Sequence, residues 1–273
     1  MRKLVPLSVC LALLVTLACA DDKPPTGDTD KVLRRFAEEF VKLTPGKDSF
    51  PAVFAMGGDR PSEKPAHEVK FAGPFAVGKY EVTQELYETV MGKNPSRWKG
   101  RRNSVEMVSW DAAGGFCRKV TEELRKLQLL TETDVIRLPS EAEWEYACRA
   151  GTATKYSFGD QESDLKDYAW FKGNSKGEDP PVGKKKPNAW GLYDMHGYVW
   201  EWTADAWHDD YKGAPTDGSP WDEKAAKERV VRGGSWADGA DACRSGHREH
   251  REASHRSDAV GFRCVRAQKK GAE

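Results

Sequence analysis

Four tryptophans fall within the twenty residues NAWGLYDMHGYVWEWTADAW, which occupy positions 188 to 207 of the chain. This segment lacks both the period of an amphipathic helix and the strict alternation of a half-buried strand. It also contains too many bulky rings for a solvated loop, because a buried aromatic side chain removes roughly 150–250 Å² from water. We therefore expect large rings to hold irregular backbone together in a fold with few helices and strands.

The rest of the chain supports this expectation, since from about residue 46 short apolar runs are interrupted by Gly, Pro, Asn and Asp. Three helices are predicted from apolar periodicity and end signals: Thr83 to Gly92, about Asp111 to Leu127, and Ser140 to Gly151. After Gly151 no helix is predicted for more than a hundred residues. Such a chain needs aromatic contacts, disulfides or bound ions to stabilise it.

The net charge excludes one class of partner. Lys and Arg together number 43, as do Asp and Glu, so the formal net charge is zero. A chain with no excess of positive charge has no global field to attract nucleic acid or an anionic membrane. We therefore expect no nucleic-acid partner.

The first twenty residues have the features of a secretory signal peptide. Arg2 and Lys3 precede an apolar run from Leu4 to Ala18, which is short for a membrane-spanning helix. The end of the segment fits two kinds of processing: cleavage after an A-x-A site before Asp21, or a lipobox that leaves Cys19 lipidated. Both predict an extracytoplasmic protein (periplasmic, secreted or lipid-anchored), with membrane attachment only through a lipid on Cys19.

The sequence divides into four parts. Residues 1–20 are the signal peptide, 21–45 a polar linker with a short amphipathic helix, 46–267 the main domain and 268–273 a polar tail. The helix is predicted because apolar residues recur at helical spacing, namely Val32, Leu33, Phe36, Phe40 and Val41. Two roles for this helix remain open: it packs on the main domain, or it tethers the domain to a membrane.

Four cysteines remain once Cys10 and Cys19 are set aside: Cys117, Cys148, Cys243 and Cys264. In an oxidising compartment four cysteines predict two disulfides, with three connectivities allowed. The alternative is four free, buried thiols. Zinc is not expected, because no CxxC or His/Cys ligand spacing occurs among them.

Six motifs in order carry a family resemblance: VGKYEVTQELYETVMGKNPS, EMVSWDAAGGFC, RLPSEAEWEYACRAG, PVGKKKPNAWGLYDMHGYVWEWTADAW, VVRGGSW and VGFRCV. Together they resemble the formylglycine-generating enzyme family, also called sulfatase-modifying factors, over roughly residues 46 to 266. The resemblance implies an α+β fold: a compact single domain, low in regular secondary structure and related to the C-type lectin fold.

The family's founding activity oxidises a sulfatase cysteine, in a Cys-x-Pro-x-Arg context, to formylglycine. It uses molecular oxygen and Cu(I) held by two thiolates, which are soft ligands suited to that ion. In this chain only small or acidic residues separate Trp236 from Cys243, so one cysteine stands where two are needed. We therefore expect no copper site. The resemblance then implies two disulfides, Cys117–Cys264 and Cys148–Cys243.

The resemblance also implies a structural calcium site within the tryptophan-rich segment. Asp194 and Glu201 would bind through carboxylates, and Gly197 and Val199 through backbone carbonyls. Calcium takes six to eight hard oxygen ligands, so waters would complete the shell. The alternative is two acids that face solvent.

Four residues are candidates for a substrate cleft. Arg248 matches a family arginine in the peptide cleft, although a structural ion pair is an equal alternative. Trp236 would floor the cleft or fill the core. His247 and His250 belong to an H-x2-H-x4-H cluster with His255. Histidine binds redox metals well, but the Arg- and Glu-rich context favours a solvated loop.

Two classes of function remain open at this point. One is an extracytoplasmic protein of the sulfatase-modifying type that acts on or assists sulfatases or other polypeptides, with a redox metal, if any, that the sequence does not identify. The other is a non-catalytic module that binds a peptide or glycan on the same scaffold.

Overall fold

The computed structural model describes residues 26–223 and 225–269. The predicted signal peptide, Cys19 and the last residues of the polar tail lie outside these ranges. The helices are α1 (Thr26–Glu38), α2 (Gln84–Met91), α3 (Trp110–Lys126), α4 (Glu141–Arg149) and α5 (Leu165–Tyr168). The strands are β1 (Phe40–Leu43), β2 (Phe54–Met56), β3 (His67–Val69), β4 (Phe75–Gly78), β5 (Asp134–Arg137), β6 (Trp200–Ala206), β7 (Glu228–Arg232), β8 (Arg248–Glu252), β9 (Val260–Gly261) and β10 (Val265–Gln268).

Two four-stranded sheets organise these elements. The first has the order β1-β4-β10-β5 and is antiparallel, with Val265 of β10 opposite Val77 of β4 and Arg137 of β5. The second has the order β8-β7-β6-β9, in which only the short β9 runs parallel to its neighbour β6. β2 and β3 form a separate antiparallel pair. The chain is thus a single compact domain of mixed helix and sheet.

The three predicted helices are confirmed, and their first residues are capped as the sequence indicates. Thr83 accepts a hydrogen bond from the Leu86 amide at 3.4 Å, and Ser140 forms a capping box with Glu143. Gly92 ends α2 in the left-handed conformation, with φ 75°. α4 ends one residue earlier than predicted, because Ala150 takes up the left-handed conformation before Gly151.

α1 and β1, which precede the predicted boundary at residue 46, pack with the main domain, which is one of the two roles left open for the helix. Leu33 and Phe36 are buried in the same core as the residues of α2 and α3. The predicted helix is also too long, since Phe40 and Val41 lie in β1 and pair with β4. Strand pairing satisfies their backbone groups at the sheet edge. No helix among the described residues is both long and apolar enough to cross a bilayer.

The tryptophan-rich segment contains a strand that the sequence pattern did not show. β6 is buried on both faces, so its residues do not alternate between apolar and polar. Trp202 is fully buried and donates from Nε1 to the Val108 carbonyl oxygen at 2.9 Å. The Trp190 ring lies 4.8 Å from that of Tyr146 in the second core cluster. The rings thus link the central strand to the loops around it, as expected.

Candidate functional site

The segment after the GGSW motif carries a single cysteine in a closed environment. Cys243 ends a 3-10 turn, Ala240–Cys243, and its buried thiol donates to the Gly239 carbonyl oxygen at 3.8 Å. A Cβ built on Gly234 would lie 2.9 Å from the Cys243 sulfur. Burial raises the pKa of this thiol well above its usual value. The thiolate, which is the form that binds a soft metal, is therefore disfavoured.

The structure describes all four cysteines as free and buried, which is the alternative left open above. Neither disulfide implied by the resemblance is formed. The sulfurs of Cys117 and Cys264 lie 3.8 Å apart, compared with about 2.05 Å in a disulfide. Cys148 contacts the Met195 carbonyl oxygen at 3.5 Å, and burial raises its pKa to about 12.

His196 links Cys148 to the Cys243 turn and was not predicted as a site residue. Its Nδ1 lies 2.8 Å from the Cys243 carbonyl oxygen and 3.8 Å from the Cys148 sulfur. Its Nε2 contacts the Ser157 amide at 3.1 Å and the Ser157 hydroxyl at 2.9 Å. Burial lowers the pKa of His196 to about 4, so the imidazole is neutral at pH 7. It therefore acts as a positioning group between α4 and the turn.

The two predicted calcium-binding acids are buried, so the alternative of solvent-facing acids is wrong. Asp194 has a left-handed backbone, with φ 55°, and Gly197 follows with φ 89°. The Asp194 Oδ2 accepts from the Gly183 amide at 2.6 Å, whereas its buried Oδ1 has no hydrogen-bond partner. An unpaired buried carboxylate oxygen is costly, and either a proton or a cation would relieve that cost.

Glu201, the second predicted acid, is already matched by a cation. Arg263 donates to both Glu201 oxygens at 2.6 Å, and the Trp144 Nε1 donates to Glu201 Oε2 at 2.9 Å. One Arg263 nitrogen also lies 3.7 Å from Oε1 of Glu81. Burial raises the pKa of Asp194 to about 6, with a further contribution from the Glu201 charge.

The described residues contain no cluster of three His, Cys, Asp or Glu side chains close enough to enclose a metal ion by themselves. An ion at Asp194 and Glu201 would therefore depend on backbone carbonyls and waters for the rest of its shell. Calcium accepts such mixed oxygen shells readily. The donor set and the unpartnered Asp194 oxygen fit this ion.

The four predicted cleft residues lie in different environments. Arg248 is buried and donates to both oxygens of Glu141 at 2.8 Å, which is the structural ion pair considered above. His247 lies beside the Trp200 ring, with 5.7 Å between centroids. His250 lies 4.4 Å from the Trp207 ring and pairs with Glu228 at 3.4 Å.

Trp236, the fourth of them, lies on an aromatic face that the sequence only partly revealed. It is half-buried and donates from Nε1 to the Asp258 carbonyl oxygen at 3.2 Å. Trp98, which is 42% exposed, donates to the Asp258 carboxylate at 3.4 Å. Arg97 pairs with the same carboxylate at 3.0 Å and lies over the Trp98 ring. We call these four residues the Trp98–Trp236 face.

A separate cleft of about 250 Å³ lies between β2 and the loop after α4. Its walls include Val53, Phe54 and Tyr146, and Arg149 also lines it. Arg149 is already paired with Glu145 at 2.8 Å. None of the predicted site residues lines this cleft.

Comparison with known proteins decides the family. A family model described as a sulfatase-modifying factor enzyme 1-like domain matches residues 33–268. The chain belongs to this family. The match begins within α1.

Three relatives show the range of the family. The chaperone protein LppX of Paenibacillus barcinonensis is 29% identical, over 79% of this chain and 89% of its own length. The formylglycine-generating enzyme of Mus musculus is 32% identical over 58% of this chain, but only 42% of that enzyme is covered. The inactive Cα-formylglycine-generating enzyme 2 of Mus musculus is 33% identical over 61% of this chain and 51% of its own length.

Two solved structures have the same fold. The Treponema denticola variable protein 1 is 32% identical, with a TM-score of 0.72 over 83% of this chain and 94% of its own. PvdO from Pseudomonas aeruginosa is 34% identical, with a TM-score of 0.72 over 83% of this chain and 93% of its own.

Proposed function

We propose that this protein is a polypeptide-binding member of the sulfatase-modifying factor family that does not oxidise cysteine with copper. Two of the relatives described above support this proposal by name, since one is called a chaperone and another is called inactive. The activity of the formylglycine-generating enzymes is not carried over, because the similarity covers less than half of the mouse enzyme.

The environment of Cys243 carries the proposal. Copper(I) chemistry in this family needs two converging thiolates. The Cys243 thiol is buried, donates to Gly239 and has a raised pKa, and the sulfur of Cys148 contacts Met195 and His196 instead.

The Trp98–Trp236 face supplies a surface for an extended polypeptide. An exposed indole beside a half-buried one offers apolar area with little rotational freedom to lose, and such residues dominate binding energy at interfaces. Arg97 and the Asp258 carboxylate hold the Trp98 ring, and the Asp258 backbone carbonyl oxygen holds the Trp236 ring. We therefore assign polypeptide binding to this face.

The test is fluorescence anisotropy with a labelled, permanently unfolded polypeptide, such as a reduced and carboxymethylated protein. Trp98→Ala is expected to weaken binding about tenfold, because an interface anchor of this type contributes about 1.4 kcal/mol or more. Trp207→Ala is the matched control, because Trp207 directly follows the C-terminal end of β6 and is not part of the Trp98–Trp236 face. Equal affinity of wild type and Trp98→Ala would refute the assignment, as would binding of oligosaccharides but not of polypeptide.

We also propose that the protein holds a structural calcium ion. Asp194 and Glu201 would bind it through carboxylates, and Gly197 and Val199 through carbonyls. The buried Asp194 Oδ1 without a partner supports this proposal, because a hard divalent cation is the natural partner of such an oxygen. Calorimetric titration of calcium, described in the next subsection, tests it.

We further propose that the protein works outside the cytoplasm, as the signal-peptide features of residues 1–20 support. Cell fractionation of the tagged full chain tests this. A lipid anchor predicts that Cys19→Ala moves the protein from the membrane fraction to the supernatant. Cleavage without a lipid anchor predicts that wild type and Cys19→Ala are both processed and both found in the extracytoplasmic supernatant. Unprocessed protein in the cytoplasmic fraction would refute the proposal.

A further inference from the structure

Glu81 is a buried acid that neither the sequence motifs nor the proposed calcium site accounts for. Its side chain is completely buried, and neither carboxylate oxygen has a hydrogen-bond partner. The nearest cation, Arg263, is 3.7 Å away, and its short hydrogen bonds go to Glu201 instead. A carboxyl group in this condition is expensive to bury unless a further positive group is present.

The charge balance of this region shows how large the deficit is. Glu81, Asp194 and Glu201 carry three carboxylates, and Arg263 supplies one guanidinium. Arg263 neutralises Glu201 through two bonds of 2.6 Å. Glu81 and Asp194 are then left with three unpartnered buried oxygens between them. Once ionised, these two buried acids would carry two negative charges, which one divalent cation would match.

A neighbouring cavity does not remove this deficit. Glu81 lines a small pocket of about 10 Å³, together with Glu39, Tyr80 and Arg102. That volume holds about one water molecule. A water molecule can donate hydrogen bonds to Glu81, but it brings no charge.

We infer that Glu81 is a third acidic member of the cation site, which balances the second charge of a calcium ion from its outer shell. The inference rests on the calcium proposal made above and adds a residue to it. Because the three carboxylates do not form a closed cluster of direct ligands, Glu81 acts through its charge and through bound water. Outer-shell groups of this kind tune metal affinity about 10–100-fold.

The experiment is isothermal titration of calcium chloride into the full chain after chelator treatment. Wild type is expected to bind one ion, and Glu81→Gln is expected to bind it at least about tenfold more weakly. Glu106→Gln is the matched control, since Glu106 is also buried and also has one oxygen without a partner. Its affinity is expected to equal that of wild type. Circular dichroism confirms that each variant is folded.

The outcomes separate the two proposals. No calcium binding by wild type refutes the calcium site itself and the role of Glu81 with it. Binding by wild type with unchanged affinity in Glu81→Gln refutes only the role of Glu81. If Glu81→Gln does not fold, Glu81→Asp replaces it. This variant keeps the charge, so affinity within about threefold of wild type supports the inference and a loss of a hundredfold overturns it.

Discussion

Glu106 shows how a single buried carboxyl group makes stability depend on pH. Its Oε1 accepts from the Trp98 amide at 3.0 Å, whereas its buried Oε2 has no partner. Burial raises the pKa of Glu106 to about 7. The folded state therefore holds a proton that the unfolded state releases near pH 4.5, and wild-type stability falls as pH rises from about 4.5 to 7.

Glu106→Gln removes this titration, because glutamine keeps the shape of the side chain without its charge. Relative to wild type, we expect the variant to gain about 3 kcal/mol of unfolding free energy between pH 4.5 and pH 8. Urea denaturation at the two pH values measures the difference. Glu123→Gln, at a more exposed position on α3, is the control. An equal effect of Glu106→Gln at both pH values would show that the carboxyl group does not titrate as described.

Individual site residues were predictable only where a family motif named them. The resemblance named Asp194 and Glu201 as members of one site, and both side chains are buried. Glu81 and Arg263 lie within two of the same motifs, EVTQ and VGFRCV, yet nothing local marks either as part of a buried charge cluster. Their proximity depends on loop and strand ends that are more than a hundred residues apart in sequence.

At the scale of elements, helix α1 is the part whose position the sequence left open. Leu33 is 2% exposed and packs in the core cluster shared with α2 and α3. We expect Leu33→Ala to lower the free energy of unfolding of the full chain by about 2–4 kcal/mol, through lost burial and a residual cavity.

Chemical denaturation measures this loss, with Arg34→Ala on the exposed side of α1 as the matched control. The control is expected to change the free energy of unfolding by less than about 0.5 kcal/mol. If Leu33→Ala behaved like the control, α1 would be a detachable tether and not a part of the domain.

The helices were more predictable than the strands for a physical reason. Thr83 and Ser140 give local capping signals that need no tertiary contact to recognise. β6 gives no such signal, because both of its faces are buried and its pairing partners come from later in the chain. Residues 40 and 41 continue the apolar spacing of the helix, so the sequence pattern predicts that they are helical. Their pairing with β4 places them in β1 instead.

At the scale of the whole molecule, the domain keeps the family scaffold, and in our proposal it does so without the family's copper chemistry. The family match spans residues 33–268, and the cores, caps and central strand are intact. Cys243 is enclosed by a tight turn, and its carbonyl oxygen contacts His196. The scaffold therefore serves binding at the Trp98–Trp236 face in our account.

The most direct test of this claim is mass spectrometry of a Cys-x-Pro-x-Arg peptide after incubation with the purified full chain, Cu(I) and oxygen. The mouse formylglycine-generating enzyme described above is the positive control. Our account predicts that the control converts the cysteine to the aldehyde and that this protein leaves its mass unchanged. Appearance of the formylglycine product with this protein, and its loss in Cys243→Ser, would contradict the account.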